Sequence, residues 1–498
     1  MPGAKNFLRI TFLFSCVFII ETPAIASESN ERPANIILIL ADDLGINDTG
    51  IYGSEVIKTP NIDNLARGGI RFSQAYVSHP VCSPSRAGLM TGQYQQRHGW
   101  EFNPARRDRE TGMNTGVRTI AESQKSFGYA TGMVGKWHLG HKRPNHPLNR
   151  GFDEYFGVLD GGTSYINSEV PGTEHGSLRG EPAPTIRLNQ IVRGFDEVTV
   201  DEYLTDVFTD EAAAYIENHK EAPFFLYLSH ITPHTPLQAT KKYLDRYRHI
   251  EDVHSRVYAA MVSSLDDSVG EVVNTLKSTG QYENTLIVFM SDNGCAGYIQ
   301  NACSNAPYAG YKRYHQEGGI RTPLIFSWPA GLSSGEIYEY PVITLDLMAT
   351  FAAVSGQQID SKDSVNLLPY LKGRLKKAPH DYLFWRSGPT IAVRDDRWKL
   401  IRYNKTDFTT ADLDNTGRLT APENGWTTES PMGQVTLLYD LHNDPGETAN
   451  LAKTHAEIVA RLAARHSGWA NELQKGAILP AIRSTLAEMH GEPVQLIF

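Results

Sequence analysis

The sequence has no excess of positive charge and no hydrophobic run of membrane length at its N-terminus, and it contains only four cysteines. Its 47 Lys and Arg residues are outnumbered by 56 Asp and Glu residues among 498 positions. The chain therefore has no global attraction for nucleic acid or another polyanion. An anionic substrate would need a local basic pocket. The apolar run of residues 11–20 is too short to span a bilayer comfortably.

The N-terminus is typical of a secretory signal peptide. Lys5 and Arg9 precede the apolar run, and Ala24-Ile25-Ala26 follows it as a small-x-small cleavage pattern. Cleavage there would remove residues 1–26, including Lys5, Arg9 and Glu21, and leave 45 basic and 55 acidic residues with a net charge of −10. We expect an exported protein, periplasmic or secreted, with no membrane association after cleavage.

The apolar pattern predicts an α/β fold. Short continuous apolar runs are typical of strands buried on both faces of a parallel sheet, and between them apolar residues recur at helical spacing. Strands that alternate with helices predict a large, mostly parallel sheet sandwiched by helices. The predicted strands are 35–41, 129–134, 224–229, 286–291 and 323–327, and the clearest helical patterns are Met261, Leu265, Val269, Val272 and Leu276, then Leu347, Met348, Phe351 and Val354.

The length of the chain predicts two domains, and the pattern changes after a solvated connection near 372–381. Beyond it, short strands and one helix predict a smaller α+β domain with an antiparallel sheet. We assign residues 33–371 to an N-terminal domain, 380–475 to the smaller C-terminal domain and 476–498 to a tail. The predicted C-terminal elements are strands near 382–385, 391–393, 398–402 and 436–439 and a helix over 456–473.

Acidic residues follow two of the predicted strands. Asp42 and Asp43 come directly after the first strand, and Asp292 and Asn293 come after the strand that ends at Ser291. For either pair alone, a helix or turn cap is the favoured explanation. Two pairs at the carboxyl ends of buried strands, where open sheets bind ligands, favour a hard-oxygen metal site. Such ligands suit Ca²⁺ or Mg²⁺ better than zinc.

Basic residues follow two further strands and precede another. Lys136 and His138 come after the strand that ends near residue 134, and His230 and His234 lie in a proline-containing loop after Ser229. The prolines restrict this loop, so we favour His234 for chemistry and regard His230 as a structural histidine. Lys312 lies before the last strand, where a solvated surface lysine is the simpler alternative.

The most informative motif is Val81 to Gly92, in which Cys82 is followed by Pro84 and Arg86. Taken alone, it predicts a loop that enters a helix, with Cys82 at the N-cap. Together with other segments in the same order, it resembles formylglycine-dependent sulfatases of the alkaline phosphatase superfamily, in particular exported carbohydrate sulfatases. The resemblance covers roughly residues 33–371, and its other segments lie around Asp42, Lys136, Gly151-Phe152-Asp153, His234, Asp292, Lys312 and Glu317-Gly318-Gly319.

The resemblance implies a role for each candidate residue. Residues 33–371 would be the sulfatase catalytic domain, and a formylglycine-generating enzyme would oxidise Cys82 to 3-oxoalanine, whose hydrate is the nucleophile. Arg86 would hold the hydroxyls of that hydrate. The ligands of one Ca²⁺ would be Asp42, Asp43, Asp292, Asn293 and modified Cys82, and the residues around the sulfate would be Lys136, His138, His234 and Lys312.

The resemblance also implies a reaction, the removal of sulfate from a polysaccharide or oligosaccharide. The acidic net charge, separately, predicts no nucleic-acid partner. His234, with Lys312 nearby, is expected to protonate the departing sugar oxygen, and His138 to accept a proton from the second hydroxyl. Two alternatives stay open: a phosphodiester or phosphonate monoester hydrolase of the same superfamily, and a sulfated-glycan binding protein with unmodified Cys82. Candidate aromatic contacts for the sugar, each of which is otherwise a packing residue, are Trp100, Tyr165 and Trp426.

The four cysteines are accounted for in an oxidising compartment. Cys16 would leave with the signal peptide and Cys82 would be modified, which leaves Cys295 and Cys303. We predict a disulfide between these two residues. The alternative is two reduced cysteines in one loop.

Overall fold

The computed structural model describes residues 1, 3, 32–104, 108–176, 189–299, 301–405, 418–419, 433–473 and 482–497. Residues 1–32 and residues 33–498 are two separate units, and the second is compact. The predicted signal peptide and Trp426 lie outside the described residues, apart from positions 1 and 3. Within the described ranges, no helix is both long enough and apolar enough to cross a membrane.

The strands of the second unit are numbered in chain order. They are β1 (Asn35–Ala41), β2 (Ile70–Phe72), β3 (Ala75–Tyr76), β4 (Ala130–Lys136), β5 (Glu154–Val158), β6 (Glu174–Gly176), β7 (Ile191–Arg193), β8 (Asp196–Val198), β9 (Phe224–Ser229), β10 (Leu237–Ala239), β11 (Thr285–Ser291), β12 (Leu324–Ser327), β13 (Glu336–Tyr338), β14 (Val342–Ile343), β15 (Leu383–Ser387), β16 (Thr390–Arg394), β17 (Trp398–Asn404), β18 (Arg418–Leu419), β19 (Gln434–Asp440), β20 (Ile482–Met489) and β21 (Glu492–Ile497).

The α-helices, interspersed with short 3₁₀ turns, are numbered in the same way. They are α1 (Pro60–Arg67), α2 (Cys82–Thr91), α3 (Ile120–Ser126), α4 (Leu204–Asn218), α5 (Lys241–Leu244), α6 (Val253–Ser278), α7 (Glu317–Ile320), α8 (Leu347–Val354), α9 (Leu368–Leu371) and α10 (Ala456–Ala470).

A ten-stranded mixed sheet forms the main layer, in the order β13-β2-β12-β11-β1-β9-β4-β5-β7-β8. Its centre, from β11 to β5, is parallel, as the buried apolar runs predicted. The predicted strand at 323–327 exists as β12, but it pairs antiparallel with β11. The apolar content of a strand indicates that it is buried on both faces, but it does not determine the direction in which the strand runs. The sheet is parallel at its centre and mixed toward its edges.

Helices cover both faces of this sheet. All seven residues of β1 are buried, and its side chains alternate between two hydrophobic clusters. Leu38 packs in the cluster that also contains residues of α2, α3 and α8, whereas Ile39 packs with residues of α1, α4 and α6. This two-sided burial explains why the strand is continuously apolar. The predicted α/β sandwich is confirmed.

The C-terminal strands form a four-stranded antiparallel sheet in the order β15-β16-β17-β19, as predicted. Helix α10 packs on this sheet through Leu462, which lies in a cluster with Val393, Leu400 and Leu438. The segment 476–498, expected as a tail, contains the β20–β21 hairpin. Val494 of this hairpin is buried in the same cluster as residues of β17.

Candidate active site

The candidate site lies at the carboxyl edge of the parallel strands. The backbone N–H of Asp42 donates to the carbonyl of Thr232 at 3.1 Å, and the N–H of Asp292 donates to the carbonyl of Ala41 at 3.1 Å. These bonds join the loops after β1, β9 and β11, which are neighbouring strands. Asp43 and Asp292, which are 249 positions apart in sequence, are therefore held next to each other at the sheet edge.

Cys82 lies among carboxylates at the start of α2. The helix begins at Cys82 itself and Val81 is the N-cap, so the predicted cap position is wrong by one residue. The Sγ atom lies 3.5 Å from an oxygen of Asp42 and 3.9 Å from an oxygen of Asp43. Asp42, Asp43, Cys82 and His234 each offer a ligand atom within 4.8 Å of the others.

Two buried lysines complete the surroundings of Cys82. Lys136, the last residue of β4, forms an ion pair with Asp42. Nζ of Lys312 lies 2.7 Å from Asp43 and 3.1 Å from Sγ of Cys82. The backbone N–H of Lys312 donates to the carbonyl of Cys295 at 2.8 Å, which fixes the segment that carries this lysine. The solvated alternative for Lys312 is therefore excluded.

Arg86 lies one helical turn after Cys82 and is fully buried. Its Nε donates to Asp292 at 2.8 Å, and its Nη1 donates to the carbonyl of Lys136 at 3.0 Å and to Oγ of Ser229 at 2.6 Å. The guanidinium thus links the ends of β4, β9 and β11. This is the multi-point geometry for which arginine is suited.

His138 follows β4 in a left-handed conformation, with φ of 62°. Its backbone N–H donates to the carbonyl of Leu159 at 3.1 Å, so the chain stays beside β5. The carbonyl of His138 accepts a 2.6 Å hydrogen bond from the hydroxyl of Ser83. Burial, followed by the cations of Lys136 and Arg86, holds the pKa of His138 well below its usual range, which favours the neutral imidazole.

The two histidines of the β9 loop have different surroundings. Nε2 of His230 contacts Oγ of Ser268 at 2.9 Å inside the protein, as expected of a structural histidine. Nδ1 of His234 lies 2.7 Å from the carbonyl of Thr235, and its Nε2 lies 3.7 Å from Asp43. Burial lowers the pKa of His234 to about 3, against the opposing effect of Asp43.

Burial and pairing set the charges around Cys82. Burial raises the pKa of the Cys82 thiol to about 12, so the thiolate is scarce near neutral pH. Burial raises the pKa of Asp292 to about 6, and the carboxylate of Asp42 adds to this rise. Burial also acts to raise the pKa of Asp43, but Lys312, His234 and the hydrogen bonds from Lys312 and Asn293 together outweigh it and hold the pKa of this carboxyl well below its usual range.

The donor set fits a hard divalent cation. Asp42 and Asp43 each bring a carboxylate oxygen within 4.8 Å of Sγ of Cys82, and Oδ1 of buried Asp292 accepts from the backbone N–H of Asp43 at 3.2 Å. Asn293 donates through Nδ2 to Asp43 at 2.7 Å, while its buried Oδ1 has no hydrogen-bond partner among the residues that the structure describes. A buried acceptor without a donor is costly, and a cation beside it would remove that cost. The site therefore suits an oxygen-liganded ion.

Sequence reasoning missed two residues beside the site. The hydroxyl of Tyr298 lies 3.4 Å from Asp43, and the guanidinium of Arg313 lies over the Tyr298 ring at 5.1 Å from its centroid. Neither belongs to a recognisable motif, and they meet only through folding. Conversely, Trp100 and Tyr165 are each 1% exposed, so burial excludes both as open sugar contacts.

The segment around Lys312 is supported from both sides. Cys295 and Cys303 form the predicted disulfide next to it. On its other side, Nζ of Lys399 in β17 lies 2.8 Å from Glu317 and 2.9 Å from Glu447, and all three side chains are buried. The C-terminal sheet thus anchors the helix α7 that follows Lys312.

Replacement of Lys399 by methionine should lower the free energy of unfolding by about 3–5 kcal/mol, because it removes the cation paired with buried Glu447 and leaves buried Glu317 with one salt-bridge partner, Arg321, among the described residues. Urea unfolding would measure the change. The matched control is Lys405→Met, which breaks a largely exposed pair with Glu492 and should cost at most about 1 kcal/mol. Equal effects of the two substitutions would contradict this account of the anchor.

A buried cluster of carboxylates, lysines and histidines at the edge of an α/β sheet is suited to binding a cation and an anionic ester. Residues 34–356 match the protein family described as Sulfatase. The chain belongs to the sulfatase family, within the alkaline phosphatase superfamily, and is a sulfuric ester hydrolase. The match places the candidate residues from Asp42 to Lys312 inside the family domain.

Individual relatives agree with this assignment. The chain is 31% identical to N-acetylgalactosamine-6-sulfatase of Mus musculus over 84% of this chain and 81% of the relative. It is 31% identical to arylsulfatase J of Mus musculus over 90% of this chain and 77% of the relative. The crystal structure of Ps i-CgsB has 33% identity and a TM-score of 0.76 and covers 90% of this chain and 95% of that chain. The complex of Ps i-CgsB with k-i-k-neocarrahexaose has 32% identity, the same TM-score and the same coverage.

Proposed function

We propose that the protein is an exported sulfatase that hydrolyses sulfate esters of a polysaccharide or oligosaccharide, with a formylglycine derived from Cys82 and one Ca²⁺. The observation that carries the proposal is the position of Cys82, whose Sγ lies 3.5 Å from Asp42 and 3.1 Å from Nζ of Lys312. One side chain thus faces both the acidic donors and a cation able to bind sulfate. The pKa of the thiol, raised by burial to about 12, supports a nucleophile other than the thiolate.

The residues of the chain would divide the work between metal and ester. Oxygens of Asp42, Asp43, Asp292 and Asn293 would hold the Ca²⁺, which supplies positive charge to the ester oxygens and to the hydrated aldehyde at position 82. The three carboxylates are balanced by three buried cations, Arg86, Lys136 and Lys312. A bound divalent ion would therefore make the pocket net positive and attractive to an anionic ester.

The lysines and histidines would position the sulfate and move protons. Lys136 and Lys312 neutralise oxygens on the sulfate, which makes the sulfur open to attack. Nε2 of His234 and Nζ of Lys312 both approach Asp43, and we assign the proton for the departing sugar oxygen to this pair. The Lys312 ammonium holds that proton, because the lowered pKa of His234 leaves its imidazole neutral. Neutral His138 is suited to accept a proton from a hydroxyl at position 82.

The relatives support a carbohydrate substrate. N-acetylgalactosamine-6-sulfatase is named for a sugar sulfate, and Ps i-CgsB was solved with an oligosaccharide. The signal-peptide pattern supports export to the periplasm or the medium, where such a substrate is encountered. In this proposal a formylglycine-generating enzyme modifies Cys82.

A paired assay tests the ester specificity. We expect the protein to release sulfate from 4-nitrophenyl sulfate about tenfold or more faster than phosphate from 4-nitrophenyl phosphate near pH 7. The reason for this expectation is the match of residues 34–356 to the sulfatase family and the sulfatases among the relatives. Faster release of phosphate would favour the phosphohydrolase alternative.

A further inference from the structure

Three large aromatic residues are exposed in the described part of the chain: Phe195 at 44%, Tyr311 at 43% and Tyr340 at 40%. The guanidinium of Arg143 covers the ring of Phe195 at 4.3 Å, and Tyr340 packs against Tyr338 at 5.8 Å between centroids. Among the described residues, no aromatic ring and no cation packs on Tyr311. Its ring is thus left open to a ligand.

Tyr311 is next in sequence to a residue of the candidate site. It immediately precedes Lys312, whose Nζ is 3.1 Å from Sγ of Cys82, so one lysine side chain separates the backbone of Tyr311 from the reacting position. The ring packs beside Gly297, whose neighbour Tyr298 reaches Asp43 with its hydroxyl at 3.4 Å. The backbone of Tyr311 and the segment against which its ring packs are therefore both next to residues of the pocket.

The position of the Tyr311 ring is fixed by its surroundings. A Cβ at Gly297 would lie 2.8 Å from Cγ of Tyr311, so glycine is needed for this close approach. The carbonyl of Tyr311 accepts from the N–H of Tyr314 at 2.9 Å, and the next residue, Lys312, is bonded to Cys295 of the disulfide. A ring held before binding loses little conformational entropy when a ligand stacks on it.

We propose that Tyr311 is a stacking platform for the sugar ring next to the sulfated ring of the substrate. An aromatic face combines apolar area with few rotatable bonds, which suits the C–H face of a pyranose. The platform lies outside the sulfate pocket, so it contacts a neighbouring sugar and makes the enzyme prefer oligosaccharides to monosaccharides. This inference rests on the proposed carbohydrate substrate and adds a specificity-determining residue to it.

The test compares Tyr311→Ala with Tyr311→Phe on oligosaccharide probes. The wild-type protein is first offered sulfated hexasaccharides, namely k-i-k-neocarrahexaose and chondroitin 6-sulfate and heparin hexasaccharides. On the probe that is desulfated, Tyr311→Ala should raise KM about tenfold with a smaller change in kcat, while Tyr311→Phe should stay within about threefold of wild type. Tyr340→Ala, an equally exposed tyrosine outside the site, is the matched control and should leave KM unchanged.

A binding measurement separates recognition from turnover. In a Cys82→Ala background, calorimetry with the same hexasaccharide should show about a tenfold higher Kd for Tyr311→Ala and little change for Tyr311→Phe. Unchanged KM and Kd in Tyr311→Ala would overturn the platform and leave the carbohydrate sulfatase assignment intact. If the wild type releases sulfate from 4-nitrophenyl sulfate but from no saccharide, the carbohydrate substrate itself is wrong and the platform falls with it.

Discussion

Replacement of Cys82 by alanine or by serine should reduce sulfate-ester turnover by on the order of 10⁴-fold or more, because either change removes the precursor of the nucleophile. The fold should persist, since the side chain is small and lies at the first turn of α2. Circular dichroism and thermal unfolding would verify folding, and sulfate release from 4-nitrophenyl sulfate would measure turnover.

The control for this prediction is Thr91→Ala at the other end of α2. Thr91 is buried like Cys82, and its hydroxyl donates to the carbonyl of Ala87 at 2.7 Å, far along the helix from the carboxylates. The control should keep turnover within about twofold of wild type while losing one local hydrogen bond. Substantial sulfate release by either Cys82 variant would show that another group is the nucleophile.

Removal of divalent cations should lower turnover by on the order of 10²-fold or more, because the proposed ion stabilises charge that develops on the ester oxygens. Treatment with EGTA followed by gel filtration would produce the metal-free protein, and elemental analysis would verify it. Added Ca²⁺ should restore turnover and raise the midpoint of thermal unfolding, since an ion that binds only the folded state stabilises it.

A comparison of Ca²⁺ with Mg²⁺ in the same experiment tests which ion the site prefers. The buried donors are carboxylates plus Oδ1 of Asn293, which has no hydrogen-bond partner in the described part of the chain. They are carried by loops, which suits Ca²⁺, the larger ion with the less strict coordination geometry. We expect Mg²⁺ to restore less activity than Ca²⁺ at equal concentration. Full turnover by protein that elemental analysis shows to be metal-free would show that Ca²⁺ is not needed for the reaction.

The sequence predicted the strands best where both faces are buried. The run 224–229 is observed as β9 with the same bounds, because a short, continuously apolar segment is most easily buried as a central strand with both faces covered. It did not predict β5, whose Glu154 is exposed and whose run contains Gly157, or the pairing direction of β12. Direction and edge strands depend on the path of the whole chain.

The residues of the candidate site also divide into those that the sequence predicts and those that it does not. Residues directly after buried strands, such as Asp42, Lys136 and Asp292, are predictable because the end of a strand fixes where they lie. Tyr298 and Tyr311 come from the irregular segment between β11 and α7, where no periodic pattern indicates which side chains face the pocket. The sequence also could not show that Trp100 is covered, since its Nε1 donates to Oγ of Ser83 inside the protein.

The most direct test of the central claim is the mass of the Cys82-containing peptide from active protein purified from an organism that modifies sulfatases. The account predicts an aldehyde at position 82, seen as replacement of the CH₂SH group by CHO and as reaction with a hydrazide reagent. A fully active preparation in which every such peptide carries an intact, alkylatable thiol would contradict it.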